Sequence, residues 1–148
     1  MSLSDWLKAQ WLTEHKTSPE EIANLLAVAD RDLRDCQAAG LSDDGRLAFG
    51  YRAAIQCALA ALAACGYRPG REAHHYRVIQ SLAHTIEMDT QLVAQLDAFR
   101  KKRNTGDYEI AGLITKKEAD EMFILAQRLR KLVEDWLRKN HRELLPKH

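Results

Sequence analysis

Apolar residues recur along most of the chain at alternating spacings of three and four, which is the periodicity of an amphipathic α-helix. Alternation of β-branched residues, the pattern of a half-buried strand, is absent, and the few glycines and prolines fall between the periodic segments. We therefore predict an all-α fold. The stripes predicted to face the core are Ile22, Leu26, Ala29, Leu33 and Cys36; Leu47, Tyr51, Ala54, Ala58, Leu62 and Cys65; Tyr76, Ile79 and Leu82; and Met122, Ala126, Leu129, Val133 and Trp136.

Two helix starts are marked clearly. Ser18 is a good N-cap before a proline, and Glu21 completes a capping box there. Thr115 and Glu118 form a second box before the last helix. Between these helices, Ala53–Cys65 is apolar on nearly every face and rich in small side chains, which allow neighbouring backbones to approach closely. We expect that segment to form the central helix.

Short loops between these helices predict an up-and-down bundle of four to five helices. We divide the chain into an N-terminal amphipathic segment (residues 1–17), the bundle (residues 18–139) and a basic C-terminal tail (residues 140–148). No internal repeat interrupts this division. Besides the helices already named, the pattern predicts helical segments over Ser4–Glu14, Ala73–Ile86 and Met88–Asn104.

Composition indicates one domain with no global preference for polyanions. The 148 residues are 46% hydrophobic, and 22 Lys and Arg balance 21 Asp and Glu to a formal net charge of +1. Any anion-binding site must therefore be local. The most apolar run is too short to span a bilayer, and three cysteines without a C-x-x-C pair predict neither disulfides nor a zinc site. We expect a reduced, cytoplasmic protein with no membrane segment, metal or cofactor.

Charged residues alternate in sign along the first long helix, from Asp30 to Asp35, and along the last, from Arg128 to Asp135. Such alternation is typical of a solvated helix face whose ion pairs contribute little to stability. We predict that these residues serve solubility.

One basic run carries the candidate chemistry, because residues 99–109 read F-R-K-K-R-N-T-G-D-Y-E. Four like charges in one helical turn repel one another, so a polyanionic partner such as RNA or a nucleotide is one interpretation. A solvated face without a partner is the other. Thr105 and Gly106 are predicted to end the helix, so that cations in its last turn complement the negative end of the helix dipole. These cations are Arg100, Lys101, Lys102 and Arg103.

Several features follow one another in an order that resembles a known family. They are a capped first helix, an alanine-rich helix through Tyr51 that ends in Gly66-Tyr67-Arg68, a His74-His75 pair that opens the next helix, and Arg100, Arg103-Asn104 and Tyr108 before a Thr-x-x-Glu last helix. The chain from Ser18 to Leu137 resembles in this way the HEPN superfamily, the higher eukaryotes and prokaryotes nucleotide-binding domain.

The resemblance implies an all-α bundle that forms a homodimer. The family includes ribonuclease toxins paired with minimal nucleotidyltransferase antitoxins, as well as members that have lost catalysis. Catalytic members carry an Arg, often followed by Asn, and a His after about four to six intervening residues. Arg103 and Asn104 match the first half of this motif. The second half fails, since no His stands at that spacing from Arg100 or Arg103, and the first such position after Arg103 is Tyr108.

The missing His matters for chemistry. An imidazole with a pKa near ~6.5 can take a proton from a ribose 2′-hydroxyl near neutral pH, whereas a phenol with a pKa near ~10 is a poor substitute. We therefore expect Tyr108 to stack on a base, form hydrogen bonds or pack. His75 would supply the imidazole if the bundle places the start of its helix beside Arg103. Otherwise, one of the two adjacent histidines covers the helix start and the other is solvated.

The resemblance and the basic run together predict a nucleotide- or RNA-binding protein with a degenerate ribonuclease motif, in a toxin–antitoxin or defence system. In this interpretation Arg103 binds a phosphate, Asn104 fixes the turn, and Arg100–Lys102 add long-range attraction. An active metal-independent ribonuclease that uses Arg103, Asn104, Tyr108 and His75 is a first alternative. A non-catalytic structural dimer is a second.

Overall fold

Helices account for most of the structure, a computed structural model that describes residues 1–71, 74–108 and 113–145, with residues 105–108 described by their backbone only. The elements are α1 (Leu3–Lys8), β1 (Leu12–Glu14), α2 (Pro19–Asp35), α3 (Asp43–Ala64), β2 (Tyr67–Pro69), α4 (His74–Thr85), α5 (Thr90–Tyr108), α6 (Lys116–Asn140) and a final 3-10 turn (Arg142–Leu144). The predicted all-α bundle is confirmed, with α2 to α6 as its long helices. Ala73, the predicted start of α4, lies outside the described residues, as do residues 146–148 of the predicted tail.

The central position of α3 follows from its small side chains. The other four long helices all pack against it, and Ala53, Ala54 and Ala58 are fully buried, as predicted. A Cβ atom placed on Gly50 would stand only 3.1 Å from Cγ of Met122, which lies on α6. The absence of a side chain there lets α6 lie directly against the backbone of α3.

By length and composition, α3 is also the one helix of the described residues that could cross a membrane. Within the bundle, 67% of its most apolar window is buried. The hydrophobicity of α3 is therefore used in packing, as in the core helix of a soluble protein.

Side-chain caps fix the helix starts largely as predicted. Thr115 and Glu118 form the reciprocal box of α6, in which each side chain accepts a hydrogen bond of 3.1 Å from the backbone N–H of the other residue. At α2 only half of the predicted box forms, because Ser18 accepts from the N–H of Glu21 at 3.1 Å without a return bond. The Glu21 carboxylate accepts instead from the hydroxyl of Thr17 at 2.6 Å. It thus connects α2 to the segment before it.

The N-terminal segment differs from the prediction of a helix over residues 4–14. The chain forms the short α1 and then β1, which pairs antiparallel with β2 so that Thr13 is opposite Arg68. Local periodicity could not reveal this pairing, since the second strand lies far along the chain. Trp6 is buried beneath the ribbon and packs edge-on against Trp11, with 5.8 Å between the ring centroids.

The prediction that Thr105 and Gly106 end α5 is wrong, because the helix continues to Tyr108. A glycine inside a helix costs only about 1 kcal/mol relative to alanine, which tertiary packing readily offsets. Arg100–Arg103 therefore lie inside the helix and not in its last turn, so the helix dipole does not explain them. Asn104 is also inside α5, where it cannot fix a turn.

Some of the alternating charges are not solvated as predicted. The side chain of Asp32 on α2 is fully buried and accepts two hydrogen bonds from Arg52 on α3, from Nε at 2.8 Å and from Nη2 at 2.6 Å. Arg130 on α6 makes a similar pair with Asp30, from Nε at 2.8 Å and from Nη2 at 3.2 Å. These pairs hold α2 against α3 and α6.

We expect Arg52→Ala to lower the free energy of unfolding by about 3 kcal/mol, because among the described residues it leaves the fully buried carboxylate of Asp32 with Arg31 alone, at 3.7 Å. Asp32→Ala should cost less, since the side chain of Arg52 is half-exposed and water can solvate its guanidinium. Urea unfolding followed by circular dichroism measures both values.

Lys131→Ala is the matched control for these two variants. It removes an exposed ion pair with Asp135, and we expect a change below about 0.5 kcal/mol. A larger loss of stability from Asp32→Ala than from Arg52→Ala would contradict the expectation that the unpaired buried carboxylate costs more than the unpaired guanidinium.

Candidate functional site

The basic run lies beside carboxylates of the protein itself, which are near Arg100, Lys101 and Lys102. Arg100 donates from Nε to Asp97 at 2.7 Å, and Nζ of Lys101 lies 3.7 Å from the other oxygen of that carboxylate. Lys102 forms an ion pair with Glu118 on α6. These carboxylates reduce the repulsion among the four cations, and that repulsion was the reason to expect a polyanionic partner. Lys101 and Lys102 are exposed.

Arg103 lies against α3. Its guanidinium carbon is 5.3 Å from the centroid of the Tyr51 ring, and its side chain is partly buried. Tyr51 is only 1% exposed, as expected of a residue in the apolar stripe of α3. A cation within about 6 Å of an aromatic face is attracted by the ring quadrupole. The predicted phosphate-binding arginine is therefore held at the contact between α3 and α5.

His75 meets the same tyrosine from α4. The hydroxyl oxygen of Tyr51 lies 3.1 Å from Nδ1 of His75, and the two ring centroids are 5.6 Å apart. His74 is exposed, with its ring 5.3 Å from that of His75. The hypothesis that His75 supplies an imidazole near Arg103 requires the start of α4 to lie beside Arg103. In the structure, the side chains of His75 and Arg103 both lie against Tyr51.

Burial and neighbouring charges set the protonation states here. Burial raises the pKa of Tyr51 to about 12, so this phenol is neutral at physiological pH. Burial also lowers the pKa of His75 below its usual value, and the nearby His74, Arg103 and Arg100 lower it further. A neutral imidazole therefore stands near two permanent cations at pH 7. We call Tyr51, His75, Arg100 and Arg103 the Tyr51 cluster.

The direction of the hydrogen bond between Tyr51 and His75 determines which ring nitrogen of the neutral imidazole carries the proton. If the phenol donates to Nδ1, the proton is on Nε2 and the imidazole presents a hydrogen-bond donor. If Nδ1 donates to the phenol oxygen, Nε2 presents a lone pair that can accept a proton. The first arrangement suits binding of a phosphate oxygen, and the second suits a general base.

Tyr76, predicted to face the core, is 37% exposed. The buried face of α4 is centred on Val78, Leu82 and Thr85, and Tyr76 lies to one side of it. The guanidinium carbon of Arg100 is 5.4 Å from the centroid of the Tyr76 ring. An exposed aromatic ring therefore adjoins the Tyr51 cluster.

The structure brings together only some of the predicted site residues. Arg100, Arg103 and His75 come close to one another, whereas Asn104 is exposed within α5. Tyr108 is the last residue of α5, and its side chain lies outside the described residues. Sequence reasoning identified Tyr51 only as a core residue. The signal for a further role is its hydroxyl, which in a stripe of alanines and leucines must find a partner when buried.

Comparison with known proteins assigns this chain to no family. No protein-family model matches the sequence, and no curated protein matches it. Within the described ranges, no three His, Cys, Asp or Glu side chains are grouped so that they could hold a metal ion. The function is therefore inferred from the Tyr51 cluster and its surroundings.

We expect the His75 imidazole to titrate below about pH 6.5 in a ¹H–¹⁵N NMR titration, because burial and nearby positive charge favour its neutral form. Arg103→Gln should raise the midpoint, since it removes one of those charges. The folded state binds this proton less readily than the unfolded state. The stability contributed by neutral His75 is thus present above about pH 6.5 and is lost as the pH falls through the folded-state pKa.

Lys139→Gln provides the control for this titration, because it removes a charge at the exposed C-terminal end of α6. It should leave the His75 midpoint unchanged. A wild-type midpoint at or above the usual histidine value would contradict the neutral imidazole.

Proposed function

We propose that this protein binds RNA or nucleotides through the Tyr51 cluster. The observation that carries the proposal is the convergence of Arg103 and His75, from two different helices, on the buried ring of Tyr51. A guanidinium and a neutral imidazole placed together can both donate hydrogen bonds to one phosphate group. The HEPN resemblance of the sequence supports the same class of ligand.

The charges favour a local phosphate contact over a broad basic surface. The net charge is only +1, and Lys101 and Lys102 have carboxylates close by, so long-range attraction is weak. Arg100 binds Asp97 through Nε, which leaves the two terminal nitrogens of its planar fork for a phosphate. Affinity should therefore depend on a few arginine contacts.

A second candidate function, a metal-independent ribonuclease, is favoured by the lowered pKa of His75. A neutral imidazole accepts the proton of a ribose 2′-hydroxyl while that oxygen attacks the adjacent phosphorus. The bond from phosphorus to the 5′-oxygen breaks, a 2′,3′-cyclic phosphate remains, and the leaving oxygen takes a proton from water. The hydroxide so formed takes the proton from the imidazolium, which restores neutral His75. Arg100 and Arg103 would stabilise the charge on the phosphate oxygens.

The HEPN resemblance extends the proposal to the cellular setting. It implies a homodimer and a nucleotidyltransferase antitoxin as the partner of a toxin–antitoxin or defence system. Light scattering of the purified protein tests the dimer, and co-expression with the product of a neighbouring nucleotidyltransferase gene tests the antitoxin.

We expect Arg103→Ala and Arg100→Ala each to weaken binding of a labelled single-stranded RNA by about tenfold, because a hydrogen bond to a charged group contributes roughly 1.5–3 kcal/mol. Each should also reduce the steepness of the salt dependence, by about 0.7 in the slope of log K against log salt. Fluorescence anisotropy over a salt series measures both quantities.

Lys139→Ala is the matched control, since it removes one exposed cation outside the Tyr51 cluster. Equal binding by wild type, Lys139→Ala and both arginine variants would disprove the proposed site. A wild type that neither binds nor cleaves RNA would instead support the structural dimer.

If the protein cleaves RNA, His75→Ala should lower the rate by at least about a hundredfold, the usual contribution of a general base. The wild-type rate should persist in chelator and should rise with pH through the lowered pKa of His75, as the imidazole loses its proton. Gel analysis of a labelled RNA incubated with each protein measures the rates. Cleavage by His75→Ala and Arg103→Ala at the wild-type rate would exclude this mechanism.

A further inference from the structure

A second surface feature lies near Tyr76. A cleft of about 990 Å³ is bounded by the end of α1, by β1 and by the chain after β2. Its lining includes Trp11 before β1, Arg71 after β2, and Arg77 on α4. Its acidic lining residue is Glu14, so the two arginines give the cleft a net positive charge.

Backbone contact fixes the two sides of this cleft together. The N–H of Gly70 donates to the carbonyl of Trp11 at 2.8 Å. A Cβ atom on Gly70 would stand 2.7 Å from the carbonyl oxygen of Gln10, which is closer than side chains tolerate. Trp11 and Arg71 are therefore held by adjacent stretches of backbone.

Arg77 is held by aromatic rings. Its guanidinium carbon lies 3.4 Å from the centroid of the nearer Trp11 ring and 5.7 Å from that of Trp6. No carboxylate of the described residues forms an ion pair with Arg77, in contrast to Arg100, which is bonded to Asp97. A stacked guanidinium keeps its charge and planar donors for an anion.

Tyr76 joins this cleft to the Tyr51 cluster. Its ring centroid is 5.3 Å from the guanidinium carbon of Arg77 and 5.4 Å from that of Arg100. Aromatic rings and arginines therefore alternate across the surface, in the order Trp11, Arg77, Tyr76 and Arg100.

From this alternation we infer that single-stranded RNA continues from the Tyr51 cluster across Tyr76 into the cleft beside Trp11, an inference that rests on the proposed function. Bases stack on the exposed ring of Tyr76 and on the half-buried ring of Trp11, and phosphates contact the arginines between them. A duplex would not suit this surface, because its bases are already stacked on one another and cannot reach an aromatic side chain. The surface thus selects unpaired RNA of several nucleotides.

The test compares anisotropy of two labelled oligouridines, one of about three nucleotides and one of about twelve, since a single-strand track commonly covers roughly 4–16 nucleotides. Tyr76→Ala should weaken binding of the longer RNA by about tenfold, the loss expected for one stacked base, and should leave the shorter RNA unaffected. Tyr76→Phe retains the ring and should bind both RNAs as wild type does. Arg77→Ala should behave like Tyr76→Ala.

The outcomes separate this inference from the proposed function. If wild type binds RNA and Arg103→Ala weakens both oligonucleotides, the Tyr51 cluster stands. Unchanged binding of the longer RNA by Tyr76→Ala and Arg77→Ala would then overturn only the track. Equal loss of both RNAs in Tyr76→Ala would also overturn it, because Tyr76 would then belong to the phosphate site. Absence of binding by wild type would refute the proposed function and the track with it.

Discussion

The arrangement of the site depends on how one buried hydroxyl is satisfied. Tyr51 lies in the most apolar helix of the chain, and a buried hydroxyl without a partner costs roughly 1–3 kcal/mol. His75 supplies that partner from α4, and the face of the same ring receives Arg103 from α5. One buried tyrosine thus brings together an imidazole, through its hydroxyl, and a guanidinium, through the face of its ring.

Nearby carboxylates determine which cations of the basic run contribute charge to the Tyr51 cluster. Asp97, one turn before the basic run, binds Arg100 and lies close to Lys101, while Glu118 takes Lys102 from the neighbouring helix. A run of four positive charges in sequence therefore does not act as one basic patch in space. The two arginines contribute most, since a planar fork can bind an acid on one edge and a phosphate on the other.

Sequence signals predicted the features that depend on near neighbours. The N-caps at Ser18 and Thr115 form as expected because each bonds to a backbone group three residues away. The pairing of β1 with β2 and the burial of Asp32 depend on partners far along the chain, so no local sequence pattern predicts them. Helical spacing likewise identifies Tyr51 as core without its contacts, and it places Tyr76 wrongly, because α4 rotates a different face inward.

Phosphate binding and protonation of His75 are coupled in such a site. Burial and the nearby guanidinium groups of Arg103 and Arg100 favour the neutral imidazole near pH 7. A phosphate placed among these groups adds negative charge close to the imidazole and raises its affinity for a proton. By reciprocity, protonation strengthens phosphate binding by the same factor. A bound phosphate would therefore offset the burial and positive charge that lower the pKa of His75, and would move that pKa back towards its ordinary value.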